Sequence, residues 1–369
     1  MMAHLFVLGA GLVGHAIVRD LAEEYDVTVI DQSQARLNML SKTPARSMRL
    51  DCVTGQGWLQ ELAAADLVVN ALPGSIGFTT LEKLITLKKP IVDISFFEQD
   101  PFQLQELAKA NGVTAIVDCG VAPGLSNMLL GMHAYHEDVD SFVCYVGGLP
   151  VQRSWPFEYK APFSPSDVLE EYTRPARLKE NGEIITRPAL SEAERIELPP
   201  LGTLEAFNTD GLRTLLETVD IPNMKEKTLR YPGHRSLMEI LSQCGFFSSK
   251  MTEVNDMPIR PMDLTSKLLF KAWKLEPDEP EITVMRVQIK GKGVNVRYDL
   301  YDTFMLGISS MARTTGYTCT AAVRLILEKG FSEPGIIPPE WLARDLDHAN
   351  YILGQLAQRS VHVNRLDLE

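Results

Sequence analysis

The chain lacks most of the features that would place it outside ordinary globular proteins. Its five cysteines, Cys52, Cys119, Cys144, Cys244 and Cys319, are scattered, odd in number and without a CxxC pair. Neither a disulfide framework nor a zinc site is expected, no metal is expected, and free thiols in a reducing cytoplasm fit best. No stretch approaches the roughly 18 consecutive apolar residues that a membrane span needs. The first residues run straight into HLFVLGAG, without the basic segment, apolar run and cleavage site of a secretory leader. Positive charge is in deficit, with 36 Lys and Arg against 48 Asp and Glu, a net −12. That argues against nucleic-acid or anionic-membrane partners, which need concentrated positive charge. A small anion remains possible, since one local basic pocket is enough. There is no internal repeat and no low-complexity tract.

What is present begins with length. A chain of 369 residues exceeds one compact core of usual size, so two domains are expected. The clearest passage is HLFVLGAGLVGHAIVRDLAEEYDVTVID. Leu5 to Leu8 form a short apolar run, as a strand buried on both faces would. Gly9, Gly11 and Gly14 follow as G-x-G-x-x-G, then Ile17, Val18 and Leu21 recur at helical spacing, and DVTVI closes on Asp31. Gly9 permits the tight turn, Gly11 lets a pyrophosphate approach the backbone, and Gly14 lets helix and strand pack closely. The helix start, with Leu12 and Val13, offers N–H groups and a positive dipole end to phosphates. Asp31 stands where a carboxylate can bond the adenosine ribose hydroxyls and repel a 2′-phosphate. NAD is therefore expected over NADP, although Arg36 is not far away.

The alternation continues. Residues 66–74, 90–95 and 113–120 read as further buried strands, with helices near 56–64, 78–88 and 102–111. Repeated β-α units imply a parallel, Rossmann-type α/β sheet whose ligands sit at the strand carboxyl ends. Asn70, Ala71, Leu72 and Pro73, then 95–98, then 118–124 with Gly124, are thus expected to face the cofactor. After about residue 122 the pattern becomes strand-heavy: a strand at VDSFVCYVGGLP, a hairpin turning at Asn181-Gly182, a strand ending at Pro232-Gly233, and a hairpin turning near 290–293. Helices are expected near 165–172, 210–217, 234–243 and 262–275. Residues 191–202 read as an exposed loop, GYTCTAAVRLILEKG as an amphipathic helix, and NRLDLE as a frayed end. The expected division is a dinucleotide domain over 1–122, joined by C-terminal helices within 308–369, and an α+β domain with a mixed sheet over 123–307.

The blocks VLGAGLVG, DCGVAPGLSNMLLG, EEYTRPARLKENGE, LEAFNTDGLRTLL, TLRYPGH and MARTTGY together resemble the saccharopine dehydrogenase-like family, most closely its lysine 6-dehydrogenase branch. The likeness spans about residue 5 to 340. It implies a Rossmann domain plus an α+β domain that contacts substrate and forms a homodimer. It also implies oxidation of a C–N bond with NAD(P), in that branch L-lysine to 2-aminoadipate 6-semialdehyde with release of ammonia. Such chemistry needs a base for the amine proton and a fixed cation for the substrate carboxylate.

Arg174, Arg213 and Arg230 are the cation candidates, and His234 the acid–base candidate, with Lys160, Glu98 and Asp118 as alternatives. Some have a plainer reading: Asp118, like Asp93, could be only a strand-end cap or turn former. Arg213 could pair with Asp210 or Glu217, and His234 could cap the helix after Pro-Gly. Two other functions stay open: a saccharopine or carboxynorspermidine-type reductase, whose pocket should show extra cations, and a non-catalytic NAD-binding sensor.

Overall fold

The computed structural model describes residues 2–55, 57–162, 165–276 and 278–369, with the side chains of Pro165 and Ser166 excepted. Gln56, at the head of the helix expected over 56–64, lies outside the described residues. The chain divides into two compact units. The first comprises Met1–Asp138, Arg213–Val219 and Met311–Val363, and the second Val139–Leu212, Asp220–Ser310 and Asn364–Glu369.

In the first unit strands and helices alternate: β1 (His4–Leu8), α1 (Leu12–Leu21), β2 (Asp26–Asp31), α2 (Gln34–Met39), β3 (Arg46–Arg49), α3 (Trp58–Glu61), β4 (Leu67–Asn70), α4 (Gly74–Ile85), β5 (Ile91–Asp93), α5 (Gln105–Asn111), β6 (Thr114–Ile116) and α6 (Leu125–Ala134). Leu5 and Val7 point to one face of the sheet and Phe6 and Leu8 to the other, and all four are buried. That explains the unbroken apolar runs, since helices cover both sides. Phe6, Leu8, Ile30, Val68, Leu81, Ile91 and Ala115 share one core cluster.

The second unit holds β7 (Asp138–Pro150), α7 (Pro165–Thr173), β8 (Ala176–Glu180), β9 (Glu183–Arg187), β10 (Glu194–Leu198), β11 (Gly202–Asn208), β12 (Asn223–Arg230), α9 (His234–Gln243), β13 (Thr252–Val254), β14 (Met257–Ile259), α10 (Pro261–Ala272), β15 (Glu281–Lys292) and β16 (Val294–Thr303). The short α8 (Leu215–Thr218) between β11 and β12 belongs to the first unit. The chain then supplies α11 (Ser310–Lys329), β17 (Gly335–Ile337), α12 (Pro339–Leu342), α13 (Leu346–Gln358) and β18 (Val363–Asp367).

The first sheet is seven-stranded and parallel, in the order β17-β6-β5-β4-β1-β2-β3. Chain order reverses between β1 and β4, which is where such sheets bind ligands. Register brings Leu8 opposite Ile30 and Asn70, and Asn70 opposite Asp93, so these residues close one carboxyl edge. α11 packs on α1 through Gly316, whose missing side chain leaves room for Ala16 and Ile17. The second sheet is nine-stranded and mixed: β12 runs parallel to β7, while the β10–β11, β11–β12 and β15–β16 pairs are antiparallel.

Three local expectations are corrected. Residues 191–202 contain β10, paired residue by residue with β11, and not only a loop. Its charged side chains alternate with Ile196 and Leu198, the pattern of an edge strand with one face in water. The helix expected over 210–217 is confined to Leu215–Thr218. Arg213 stands at φ +53°, which a helix cannot continue through. The C-terminal residues are not frayed: β18 pairs with β16, and the Leu368 N–H donates to the Asn295 carbonyl at 2.8 Å. β3 and β17 gave no strand signal: β3 is the mostly exposed RSMR, and β17 is a three-residue GII running into Pro338-Pro339.

Deleting Val363–Glu369 would strip the β16 edge of these bonds. The expected cost is roughly 1–3 kcal/mol, read as a lower urea midpoint. An unchanged midpoint would show that the last strand adds nothing.

Candidate functional site

The glycine loop after β1 is shaped by close backbone contacts at two of its three glycines. Gly9 sits at φ +99°, and a Cβ there would meet the Ala71 carbonyl oxygen at 2.6 Å. A Cβ on Gly14 would lie 2.1 Å from the Gly9 carbonyl oxygen. Both glycines are therefore required by packing. Gly11 differs: a Cβ there would meet nothing within 4 Å. It is the N-cap of α1, and no side chain caps that helix end. Leu12 is exposed and Val13 half-buried, so the first amides of α1 open onto accessible space. Ala71 and Leu72 are half-buried and Pro73 is exposed beside them, ahead of α4. The residues present fit a dinucleotide: an uncapped helix start, an open glycine, and an acid at the end of β2.

Asp31 accepts two backbone hydrogen bonds. One carboxylate oxygen accepts the Ala10 N–H at 2.8 Å and the other accepts the Ser33 N–H at 2.7 Å. Arg36 reaches to 3.7 Å of it, and Arg49 donates to the neighbouring Gln32 carbonyl. Asp31 thus ties the glycine loop to the turn after β2, with two exposed guanidinium groups at hand.

Along the same carboxyl edge, the Asn70 amide donates to Asp93 at 2.7 Å, and Asp93 also accepts the Ser95 N–H at 2.6 Å. Burial pushes the Asp93 carboxyl up to about 7, and the charge of Asp118 acts in the same direction. Asp118, at φ +49°, forms a two-point pair with Arg213, each bond 3.1 Å long. Arg213 also donates to the Phe97 carbonyl and stacks on Phe96 and Phe97. The α8 segment that carries Arg213 is anchored by Thr218, whose hydroxyl donates to the buried Glu340 at 2.5 Å. Asp118 and Arg213 come together, then, though with each other. The alternatives Asp210 and Glu217 weighed for Arg213 are not its partner here, and Asp210 is taken by Arg177. Gly124, at φ +134°, is required because a Cβ would meet the Gly120 carbonyl oxygen at 2.0 Å.

In the second unit, Arg230 and His234 converge on one buried phenol. Arg230 donates to the Tyr172 hydroxyl at 2.9 Å and pairs with Glu171 at 2.7 Å, and its guanidinium lies 4.5 Å from the Tyr159 ring centroid. His234 faces the Tyr172 hydroxyl at 3.0 Å with Nε2 and the Phe157 carbonyl at 2.8 Å with Nδ1. The carbonyl can only accept, so Nδ1 carries the proton and Nε2 receives the Tyr172 O–H. Arg230 and His234 are each only 2% exposed, so both heads are used inside the unit. Burial, helped by the Arg230 charge, lowers the His234 pKa to about 3. The TLRYPGH and EYTRP blocks therefore meet at Tyr172. Arg174 pairs with Glu170, and Lys160 donates to the Lys274 carbonyl at 3.1 Å near Glu279. Glu98 is exposed. Sequence reading missed Tyr172 and Glu171, which sit inside the EEYTRP block, and weighed Asp93 mainly as a strand-end cap or turn former.

Two family models match this chain. One, the saccharopine dehydrogenase C-terminal domain, covers residues 120–361. The chain belongs to the saccharopine dehydrogenase family. The other model, the saccharopine dehydrogenase NADP binding domain, covers residues 5–116, so a nicotinamide cofactor is indicated. An alpha-aminoadipic semialdehyde synthase of Arabidopsis thaliana is 30% identical over 64% of this chain and 24% of its own length. A saccharopine dehydrogenase (NADP+, L-glutamate-forming) of Pyricularia oryzae is 26% identical over 74% of this chain and 64% of its own. The chain thus spans less than two thirds of these relatives. The apo saccharopine dehydrogenase (L-Glu forming) of Saccharomyces cerevisiae superposes with a TM-score of 0.80 at 18% identity, covering 100% of both chains, and so shares the fold. Among the described residues no helix is long and apolar enough to cross a membrane.

Two outcomes follow from this geometry. Gly11→Val should keep the far-UV circular dichroism of the parent and lose dinucleotide affinity, because its side chain would enter open space. Gly14→Ala should instead lower the melting temperature, because it strikes backbone. Unchanged nucleotide affinity in Gly11→Val would remove the site.

The second concerns pH. With its folded pKa below the ordinary 6.5, His234 contributes stability that is complete above about 6.5 and lost as pH falls towards about 3. The contribution is on the order of 3–5 kcal/mol. His234→Gln cannot titrate, so its urea midpoint should fall less steeply than the parent's over that interval. Parallel slopes would contradict a buried neutral imidazole.

Proposed function

We propose that this chain is an NADP-dependent oxidoreductase that oxidises the C–N bond at the far end of a lysine-like amino acid. The observation that carries the cofactor half is the open Gly11 at the uncapped start of α1. NADP is preferred to the NAD expected from sequence because the Arg36 guanidinium, 3.7 Å from the Asp31 carboxylate, offsets the charge that would repel a 2′-phosphate. Arg36 and Arg49 beside Asp31 supply the cations that a 2′-phosphate requires. The match to the saccharopine dehydrogenase NADP binding domain points the same way.

A bound nicotinamide would supply the hydride acceptor for the amine-bearing carbon. The amides of Leu12 and Val13 would bind the pyrophosphate, and Asp31 would keep the loop in place. Substrate size is argued from the arginines. Arg174, Arg177, Arg213 and Arg230 are each already paired with a carboxylate: Glu170, Asp210, Asp118 and Glu171. A multiply anionic substrate would need several cations not neutralised in this way. That favours lysine, with one carboxylate and one ε-amine, over saccharopine. We read Arg230 and His234 as the frame that fixes Tyr172. The second reading, a saccharopine dehydrogenase, is favoured by what the relatives are called.

Nucleotide reduction should be measured with L-lysine and with saccharopine, each against NADP+ and NAD+. We expect reduction and ammonia release with lysine and NADP+. Faster turnover of saccharopine would establish the second reading. If nucleotide binds but neither amine is oxidised, a sensor becomes the better account. Arg36→Ala should weaken NADPH binding by about 10- to 100-fold, the worth of one charge-assisted contact, and barely alter NADH binding. Tighter binding of NADH than NADPH by the parent would refute the cofactor assignment.

A further inference from the structure

The carboxyl edge of the first sheet holds an acid that the proposed reaction does not use. Asp93 is wholly buried, closes β5, and holds its two N–H donors on different oxygens. One donor is the Asn70 carboxamide, at the end of β4. The same Nδ2 group also reaches the Gly77 carbonyl of α4 at 3.5 Å. Asn70 Oδ1 is buried and meets no partner among the described residues. Asn70 thus joins β5 and α4 by its donor end alone, and the loop 71–73 runs between these two anchors. That loop is the one whose Ala71 carbonyl presses on Gly9.

An ionised carboxylate can only accept, which suits the Asn70 NH2 group. A carboxylic acid with its proton on Oδ2 must donate. The best bond then needs Asn70 Oδ1 facing it, which is a reversal of the amide. Reversal keeps one hydrogen bond to Asp93. It also turns the carbonyl oxygen of Asn70 towards the region of the Gly77 carbonyl, acceptor against acceptor.

We propose that Asp93 and Asn70 form a proton-linked positioning pair beneath the nucleotide loop, in which ionised Asp93 holds the loop in its binding form and a proton on Asp93 releases it. The inference rests on the nucleotide reading above. The affinity for nucleotide falls as the pH drops through the Asp93 titration, about tenfold for each unit by which nucleotide binding lowers that pKa. The burial that raises the Asp93 pKa to about 7 brings this within an accessible range. The other ionisable groups that feel Asp93 are few. Asp118 has Arg213 against both of its oxygens, and the thiols of Cys119 and Cys319 are raised by burial. Neither thiol ionises between about pH 6 and 8.5.

The test is fluorescence titration of NADH and NADPH into the full chain between about pH 6 and 8.5. NADH is included because it carries no 2′-phosphate that titrates. In the parent, dissociation constants for both nucleotides should rise as pH falls through about 7. Asp93→Asn should flatten both profiles, and Asn70→Ala, which leaves the acid but removes the link, should flatten them too. If Asp93→Asn fails to fold by circular dichroism, Asn70→Ala carries the comparison. A parent without pH dependence, or a variant that keeps the parent's slope, overturns the inference and leaves the nucleotide site standing. A parent that binds neither nucleotide at any pH overturns both.

Discussion

A guanidinium and a carboxylate withdrawn from water are the constraint on which the first unit is organised. The Arg213 and Asp118 side chains are 2% and 0% exposed, joined by two parallel bonds. Taking either away leaves the other charged and unsolvated, which typically costs about 3–5 kcal/mol. The pair accounts for neighbouring oddities. Both residues sit at positive φ, which non-glycine residues avoid. The segment Arg213–Val219 leaves the second unit's sequence to join the first, with Thr218 pinned by Glu340 and the Thr218 carbonyl accepting from Tyr135. The Phe97 carbonyl and the rings of Phe96 and Phe97 complete the lining around the guanidinium. The loops after β5 and β6 are thus fastened by a side chain from far along the sequence.

Neighbouring acids at one sheet edge take opposite electrostatic paths. Asp118 has a guanidinium against both oxygens, whereas Asp93 has only amides. Burial therefore raises the Asp93 carboxyl, with no cation held against it. In the second unit the same contrast recurs between Arg230, which has Glu171, and His234, which has only neutral partners. Functional sites collect such perturbed groups, and so do internal polar frames. Geometry separates the two cases here: the glycine loop is open, while the Tyr172 cluster is closed on itself.

Most of the first sheet was legible because its inner strands are buried on both faces, and the glycine spacing marked the turn after β1. Short elements were less legible. β17 spans three residues within PGIIPPEWL, too few for any period to show. β10 was hidden by its charges, because an edge strand facing water reads like a loop. The arginines show the deeper limit. Sequence identified Arg213 and Arg230 as cations of interest but could not pair them, since Asp118 is 95 residues from Arg213 and Glu171 is 59 from Arg230. Tyr172 was within view, in a block already singled out, yet nothing in its spacing announced that two motifs would meet on it.

The order in which the chain emerges during synthesis bears on the first sheet. β1 to β6 lie within the first 116 residues, but β17, which covers the open edge of β6, begins only at Gly335. α11, which packs on α1 through Gly316, comes almost as late. Until then the nascent sheet carries an unpaired parallel edge and an uncovered apolar helix face, both prone to wrong pairing. Closing the sheet requires contacts across more than half of the chain, and such long-range pairing is slow. The second unit, mostly continuous between these two parts, has the chance to fold first. Its early folding would shorten the effective loop that must close before β17 reaches β6.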